Sequence, residues 1–231
     1  MFTMTRNEIS SRSNPADEIN LHPANHLPAD IDKHSFDVIV IGSGPAGRTL
    51  AYRTAKAGLS TAVIESELHG GECPFWACVP SKALLRPAEV IEAAREIGGV
   101  KELIRNNAVV DVQGVFRRRD KLVREYKDDF IVNLTKKNLC TVIRGFGSIV
   151  GEKKVKVVNE SVAQTIELTA NHAVIVATGS EPLVPDIPGL SEVEVWSNRE
   201  ATAATRVPEH LLILGGGVVV SGRVSPTFTR C

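Results

Sequence analysis

No stretch of this sequence is apolar for long enough to cross a bilayer. The best candidates, Ala173 to Ala177 and the run from His210 to Val220 with its three glycines, are too short or too interrupted, so no membrane partner is expected. An excess of one charge is missing as well. The 27 Lys and Arg balance the 27 Asp and Glu, which leaves no basic surplus to hold a polyphosphate, and no nucleic-acid partner is expected. Cysteine is scarce: four residues, at 73, 78, 140 and 231, are too few for a disulfide-built scaffold, and a secretory signal is lacking. These absences point to a reducing, cytoplasmic setting. Arg6 and Arg12 with nearby serines hint at a mitochondrial presequence, against which Glu8, Asp17 and Glu18 argue. Residues 1–35 show no sustained period and read as a disordered tail. The 231 residues suffice for one large or two small domains.

Two of the few cysteines stand five apart in Gly70-Gly71-Glu72-Cys73-Pro74-Phe75-Trp76-Ala77-Cys78-Val79-Pro80-Ser81-Lys82. On a regular helix such residues diverge by roughly 140°. Pro74 and Pro80 disfavour helical backbone at the residues before them, so a distorted entry turn is expected, where the two sulfurs could approach disulfide distance. Lys82, one turn beyond Cys78, could favour a thiolate. A structural disulfide and two unrelated core cysteines remain alternatives. Zinc held with His69 would leave a tetrahedral site short of a ligand, so no metal site is expected.

Some thirty residues earlier lies a nucleotide-binding pattern. Phe36 to Ile41 is a β-branched apolar run of the kind buried in a parallel sheet. Gly42-Ser43-Gly44-Pro45-Ala46-Gly47 follows, then a helical stretch to about Ala57, and a second strand, Ser60 to Ile64, ending in Glu65. Gly42 suits the tight turn, Gly44 lets the backbone approach a pyrophosphate, and Gly47 permits close helix–strand packing. The helix N-terminus offers unpaired N–H groups to phosphate, and Glu65 can accept from ribose hydroxyls.

Further along, Ser81 to Ile97 reads as a helix kinked at Pro87, and Asp111 to Lys137 as one long amphipathic helix, with Arg117-Arg118-Arg119 on its solvated face. Thr141 to Ile143, Lys154 to Val158 and Thr165 to Leu168 form strands of a small antiparallel insert; His172 to Val176 is a buried strand leading into Ala177-Thr178-Gly179-Ser180. His210 to Leu214 reads as another strand, opening a second glycine loop at Gly215-Gly216-Gly217. There the third glycine position is Val220, and no acid follows before Cys231. The fold class is α/β: a Rossmann-like domain with a parallel sheet and an antiparallel insert, then the start of a second such domain. The boundaries read as 1–35, 36–190 and 191–231.

The order of these landmarks resembles the pyridine nucleotide–disulfide oxidoreductases, the family of dihydrolipoamide dehydrogenase, glutathione reductase and mercuric reductase, over roughly residues 36 to 219. The resemblance implies FAD in the first domain, NAD(P)H in the second, and electrons passing through FAD to a Cys73–Cys78 disulfide and on to a disulfide, lipoamide-like or metal acceptor. By it, Gly42, Gly44, Pro45, Ala46, Gly47 and Glu65 hold the ADP half of FAD. Gly71, Glu72, Gly147, Ala177, Thr178 and Gly179 make its further contacts, and Gly215 and Gly217 belong to the nicotinamide nucleotide loop. Cys78 faces the flavin in a charge-transfer contact, Cys73 is the interchange thiol that attacks substrate, and Lys82 stabilises negative charge on the reduced ring. Glu72, Pro74-Phe75 and Ala77 depart from the family's usual residues and point to a mercuric-reductase-like branch. The resemblance also implies a homodimer whose dimerisation domain, with a His–Glu base pair, is not in this sequence. The chain therefore reads as truncated and inactive alone, or as a non-enzymatic fragment that at most binds FAD.

Overall fold

Asp37 is the only charged residue between Phe36 and Ile41, and this run becomes the central strand. β1 (Ser35–Ile41) has parallel neighbours on both sides, β2 (Thr61–Glu65) and β6 (Gln164–Val176). The computed structural model describes residues 16–104 and 110–217. β3 (Cys140–Arg144) extends the parallel set beyond β2. On the other side β5 (Lys154–Asn159) and β4 (Phe146–Gly151) continue it antiparallel, in the order β3-β2-β1-β6-β5-β4. This is the α/β sheet with an antiparallel extension that the sequence pattern implies, with one correction: Thr141–Ile143, expected in the antiparallel insert, pairs parallel with β2, and the insert's other strand is β4, which was not expected.

The described residues fall into two compact units, each discontinuous in sequence: residues 20–73 with 126–181, and residues 74–125 with 182–217 and the segment before 20. The first unit contains the whole sheet. On one face Ile39, Ile41, Ile64, Ile143, Val157 and Leu168 form a core; on the other, Val38, Val40 and Val63 pack with Ala51, Ala55 and Cys140. The alternation along β1 is what a strand covered on both faces requires. A bulge at its start, where the N–H groups of Asp37 and Val38 both donate to the Ser60 carbonyl (2.9 and 3.1 Å), lets Phe36 share the face of Ile39.

α1 (Pro45–Lys56) begins with extended Gly44 as its N-cap and Pro45 in its first turn, and ends before Gly58 (φ 86°). Residues 20–34, which read as tail, are tied to this unit. Arg144 Nε donates to Asn25 Oδ1 (2.8 Å), its N–H to the His26 carbonyl (2.8 Å), and the Ala29 N–H to Gln164 Oε1 (3.1 Å).

Several local expectations are corrected. The strands expected at Thr165–Leu168 and His172–Val176 are one 13-residue strand, β6, because β5 and β1 hold successive parts of it. Its far end is not buried: Val176 is 60% exposed. The single helix expected over Asp111–Lys137 is α4 (Val112–Leu122) and α5 (Asp129–Lys137). They are separated by Arg124, Glu125 and Tyr126, all with φ between 52° and 57°, a conformation that cannot continue a right-handed helix. No strand forms at His210–Leu214. No described strand hydrogen-bonds to it, and Leu212 and Leu214 are 94% and 60% exposed. The start of a second nucleotide fold is therefore not seen among the described residues, and Val220, Cys231, Arg6, Glu8 and Arg12 lie outside them.

In the second unit, α3 (Cys78–Glu96) carries Pro87 in its interior and packs on α4 through Leu84, Val115 and Phe116. Arg119 departs from the solvated face assigned to its cluster: it is buried, while Arg117 and Arg118 are exposed. Its NH1 donates to the Thr202 carbonyl and its NH2 to the Ala204 carbonyl (3.0 Å), satisfying the end of α6 (Asn198–Ala203), and Nε pairs with Asp120 (2.6 Å). Arg119→Met is expected to destabilise this unit by about 1–3 kcal/mol in urea unfolding, the cost of buried carbonyls left without donors.

Candidate cofactor and dithiol site

The carboxyl ends of β1, β2 and β6 meet where the strand order turns, between β1 and β6, the place at which open α/β sheets bind ligands. Gly42 follows β1 in a left-handed turn (φ 96°). A Cβ there would stand 2.2 Å from the Ala177 carbonyl oxygen, and one at Gly47 would stand 2.0 Å from the Gly42 carbonyl oxygen. Both positions accept only glycine, for backbone packing. Gly44 differs: nothing lies within 4 Å of where its Cβ would be. That open face, beside the N–H groups that start α1, is suited to a phosphate. Ala177 is held by its N–H to the Ile41 carbonyl (2.8 Å), so Ala177-Thr178-Gly179 runs directly past Gly42.

Glu65 ends β2 beside the loop. Its Oε2 accepts from the N–H (2.9 Å) and hydroxyl (2.8 Å) of Ser43, and Oε1 from the Glu67 N–H (3.0 Å). Ser43 Oγ in turn accepts from the Gly70 N–H (3.0 Å). Each carboxylate oxygen has further lone-pair capacity, so Glu65 can still accept from a ribose. Gly147 on β4 lies over Ile41 and Ile64, within 3.1 and 3.3 Å of where its Cβ would be.

The cysteine run is joined to this loop. Gly70 and Gly71 both have positive φ (135° and 69°), and a Cβ on Gly71 would stand 2.8 Å from the Gly44 Cα. The second glycine pair is thereby seated on the first. Glu72 and Cys73 open the four-residue α2 (Glu72–Phe75), and the helix breaks at Ala77 (φ −136°, ψ −94°) before Cys78 starts α3. A break between the cysteines is present, but it falls at Ala77; Cys73 and Val79, expected to leave the helical region before their prolines, are both helical because each proline sits in the first turn of its helix. Both cysteines are half-buried; Cys73 belongs to the first unit, and Cys78 with exposed Lys82 to the second. There, buried Trp76 is fixed by its carbonyl, which accepts from Asn198 Nδ2 (3.0 Å), with the Arg199 guanidinium 5.3 Å from the ring centroid.

A buried polar network supports the turn before Cys73. Arg144 pairs with Asp128 (2.8 Å) and donates to the Glu67 carbonyl (3.1 Å), and Asp128 accepts from the His69 N–H (2.6 Å). The His69 ring meets Thr135 Oγ1 (2.9 Å), whose hydroxyl donates to the Ile131 carbonyl. The ring must therefore donate through Nε2, which leaves buried Nδ1 without a partner. Burial, then Arg144, Arg48 and His26, lower the His69 pKa to about 3. Among the described residues no three His, Cys, Asp or Glu are grouped to hold a metal. No helix among them is long and apolar enough to cross a membrane. A cavity of about 280 Å³ beside α1 and α5 is lined by Arg48, Tyr52, Leu134, Thr135 and Cys140; burial raises the Cys140 thiol pKa.

Residues 36–221 match the family described as pyridine nucleotide-disulphide oxidoreductase. The chain belongs to that family. It is 34% identical over 187 residues to a dihydrolipoyl dehydrogenase of Chlamydia muridarum, covering 80% of this chain and 39% of that one. It is 38% identical over 190 residues to a dihydrolipoyl dehydrogenase of Chlorobaculum parvum, covering 80% and 38%. The HOCl-induced flavoprotein disulfide reductase RclA from Escherichia coli matches in structure with a TM-score of 0.63 at 26% identity, over 79% of this chain and 37% of that one. The chain thus spans about two fifths of the length of these relatives.

Within this family framework the sequence missed the supporting residues: Ser43, Arg48, Thr135, Asp128 and Arg144, with His69 considered only as a zinc ligand. Arg48 alone left a local signal, standing one helical turn after Gly44.

Proposed function

We propose that this chain is the flavin-binding part, residues 36–190, of an oxidoreductase that uses FAD and NAD(P)H to reduce Cys73–Cys78 and passes the electrons to a disulfide, lipoamide-like or metal acceptor. The observation that supports the reading is the seating of Gly71, two residues before Cys73, on Gly44 of the nucleotide loop. The loop fits the ADP part of FAD: open space at Gly44, free N–H groups at the start of α1, and a carboxylate at Glu65. Gly42, Gly44, Pro45, Ala46, Gly47 and Glu65 would hold it, with Gly147 and Ala177-Thr178-Gly179 alongside. FAD, when bound, supplies two-electron chemistry between a nicotinamide and a dithiol.

The chain's own residues would then perform thiol–disulfide exchange. The Cys73 thiolate attacks one sulfur of the acceptor disulfide and expels the other as a thiolate. Cys78 attacks Cys73 in the mixed disulfide, which releases the second thiol and closes Cys73–Cys78; one disulfide is broken and one formed. Oxidation of the dithiol-reduced chain is expected to yield a Cys73–Cys78 linkage in peptide mass spectrometry. Cys140 should stay reduced and alkylate slowly, because it is buried and its thiol pKa is raised. A Cys73–Cys140 linkage would move the reading to a structural disulfide.

A second reading is favoured by the absence of a strand at His210–Leu214. In it the chain by itself holds flavin without turning over NAD(P)H, since Gly215 and Gly217 do not follow a formed strand. Acceptor-dependent NADH or NADPH oxidation by the purified chain would overturn that reading.

A further inference from the structure

We propose that Arg48 is a positioning residue for Cys73: set one turn into α1, after the Gly44 on which Gly71 is seated, its guanidinium holds Cys73 as a thiolate. The inference rests on the reading of Cys73 as the attacking thiol. Two backbone contacts bring the two segments together, and a third observation concerns the Arg48 side chain. Gly71 is seated on the Gly44 Cα, and Cys73 lies two residues beyond it. The Arg48 N–H donates to the Gly44 carbonyl (3.0 Å), so Arg48 stands on the next turn of the same helix. Its Nε is buried with no hydrogen-bond partner. That atom has lost water without gaining an acceptor, and a nearby thiolate supplies negative charge to the half-buried side chain.

The electrostatics agree in sign. Burial lowers the Arg48 pKa, and Cys73 opposes that lowering. The same attraction must favour the thiolate over the thiol. Of the other ionisable groups on the elements around Cys73, Glu72 is adjacent on its own turn and opposes the thiolate. His69, four residues before it, stays neutral above about pH 3 and contributes no positive charge. Arg48, on α1, is the cation whose charge acts on Cys73.

The test is the pH profile of Cys73 alkylation by iodoacetamide, read by peptide mass spectrometry on the reduced full chain, for the unsubstituted protein, Arg48→Met and Arg48→Lys. In Arg48→Met the profile should move up by about one pH unit, slowing Cys73 about tenfold at pH 7. Arg48→Lys should retain the rate to within about threefold, since it keeps the charge. Cys78 and Cys140 serve as internal references in the same digests. An unmoved profile in Arg48→Met, or an equal loss in both variants, would overturn the inference. A Cys73–Cys78 linkage that forms normally beside an unmoved profile would leave the dithiol reading standing and remove only the role of Arg48. A shifted profile in a chain that never forms the linkage would do the reverse.

Discussion

The Gly44→Val chain is expected to fold as the unsubstituted protein does and to lose its flavin. Gly44 has a φ of −61°, which any residue adopts, and its Cβ direction is empty, so the side chain fits the protein alone. It does not fit a pyrophosphate drawn against the N–H groups of α1. The expected loss in FAD affinity is at least about a hundredfold, or roughly 2.7 kcal/mol. The contrasting variant is Gly47→Val, whose Cβ would stand 2.0 Å from the Gly42 carbonyl oxygen, so the helix must leave its strand and the unit itself should be destabilised. Flavin absorbance of protein refolded with FAD, read beside far-UV circular dichroism, separates the two outcomes. A folded Gly44→Val chain that keeps its flavin would remove the nucleotide loop from the cofactor site.

Acid should destabilise the sheet unit through His69 before its carboxylates begin to respond. In the unfolded chain this ring takes a proton near the ordinary value of 6.5; in the folded chain burial, with Arg144, Arg48 and His26, holds it to about 3. Between those values the unfolded state binds more protons, so stability that is fully present above pH 6.5 is lost as pH falls. One proton gives a slope of up to about 1.4 kcal/mol per pH unit, or roughly 3 kcal/mol by pH 4. Asp37 acts in a different window. Hydrogen bonds from Asn171 and Ser60 hold its carboxyl well below the usual range, so its contribution is lost only as pH falls below 3.8. Urea unfolding of the unsubstituted chain and His69→Leu across pH 7 to 4 isolates the histidine, because Thr135 keeps its bond to the Ile131 carbonyl in both. The acid slope should flatten in the variant; equal slopes would place the proton elsewhere.

The glycine loop was legible because Gly42 and Gly47 answer local backbone demands, and because a strand buried on both faces shows as a continuous apolar run. The dithiol turn was legible only in part: its prolines marked two helix starts, whereas the break itself falls at Ala77, which no proline follows. The break at Arg124–Tyr126 was not, since three consecutive left-handed residues carry no glycine to announce them and the apolar period runs straight through. Nor was the burial of Arg119, which is indistinguishable in sequence from its neighbours Arg117 and Arg118. What buries it is the pair of carbonyls at Thr202 and Ala204, more than eighty residues away.

By itself the sequence determined the strand–loop–helix–strand order and the family, and it singled out the residues proposed to meet a dinucleotide and a disulfide. Those rest on short-range geometry, where one residue's φ or missing Cβ decides the outcome. Tertiary structure alone decided that Gly71 sits on Gly44, that Ser43 joins Glu65 to Gly70, and that His69 is buried against Thr135. It also left His210–Leu214 without a strand, because a strand exists only when a neighbour takes up its hydrogen bonds, and a buried charge persists only when distant backbone satisfies it.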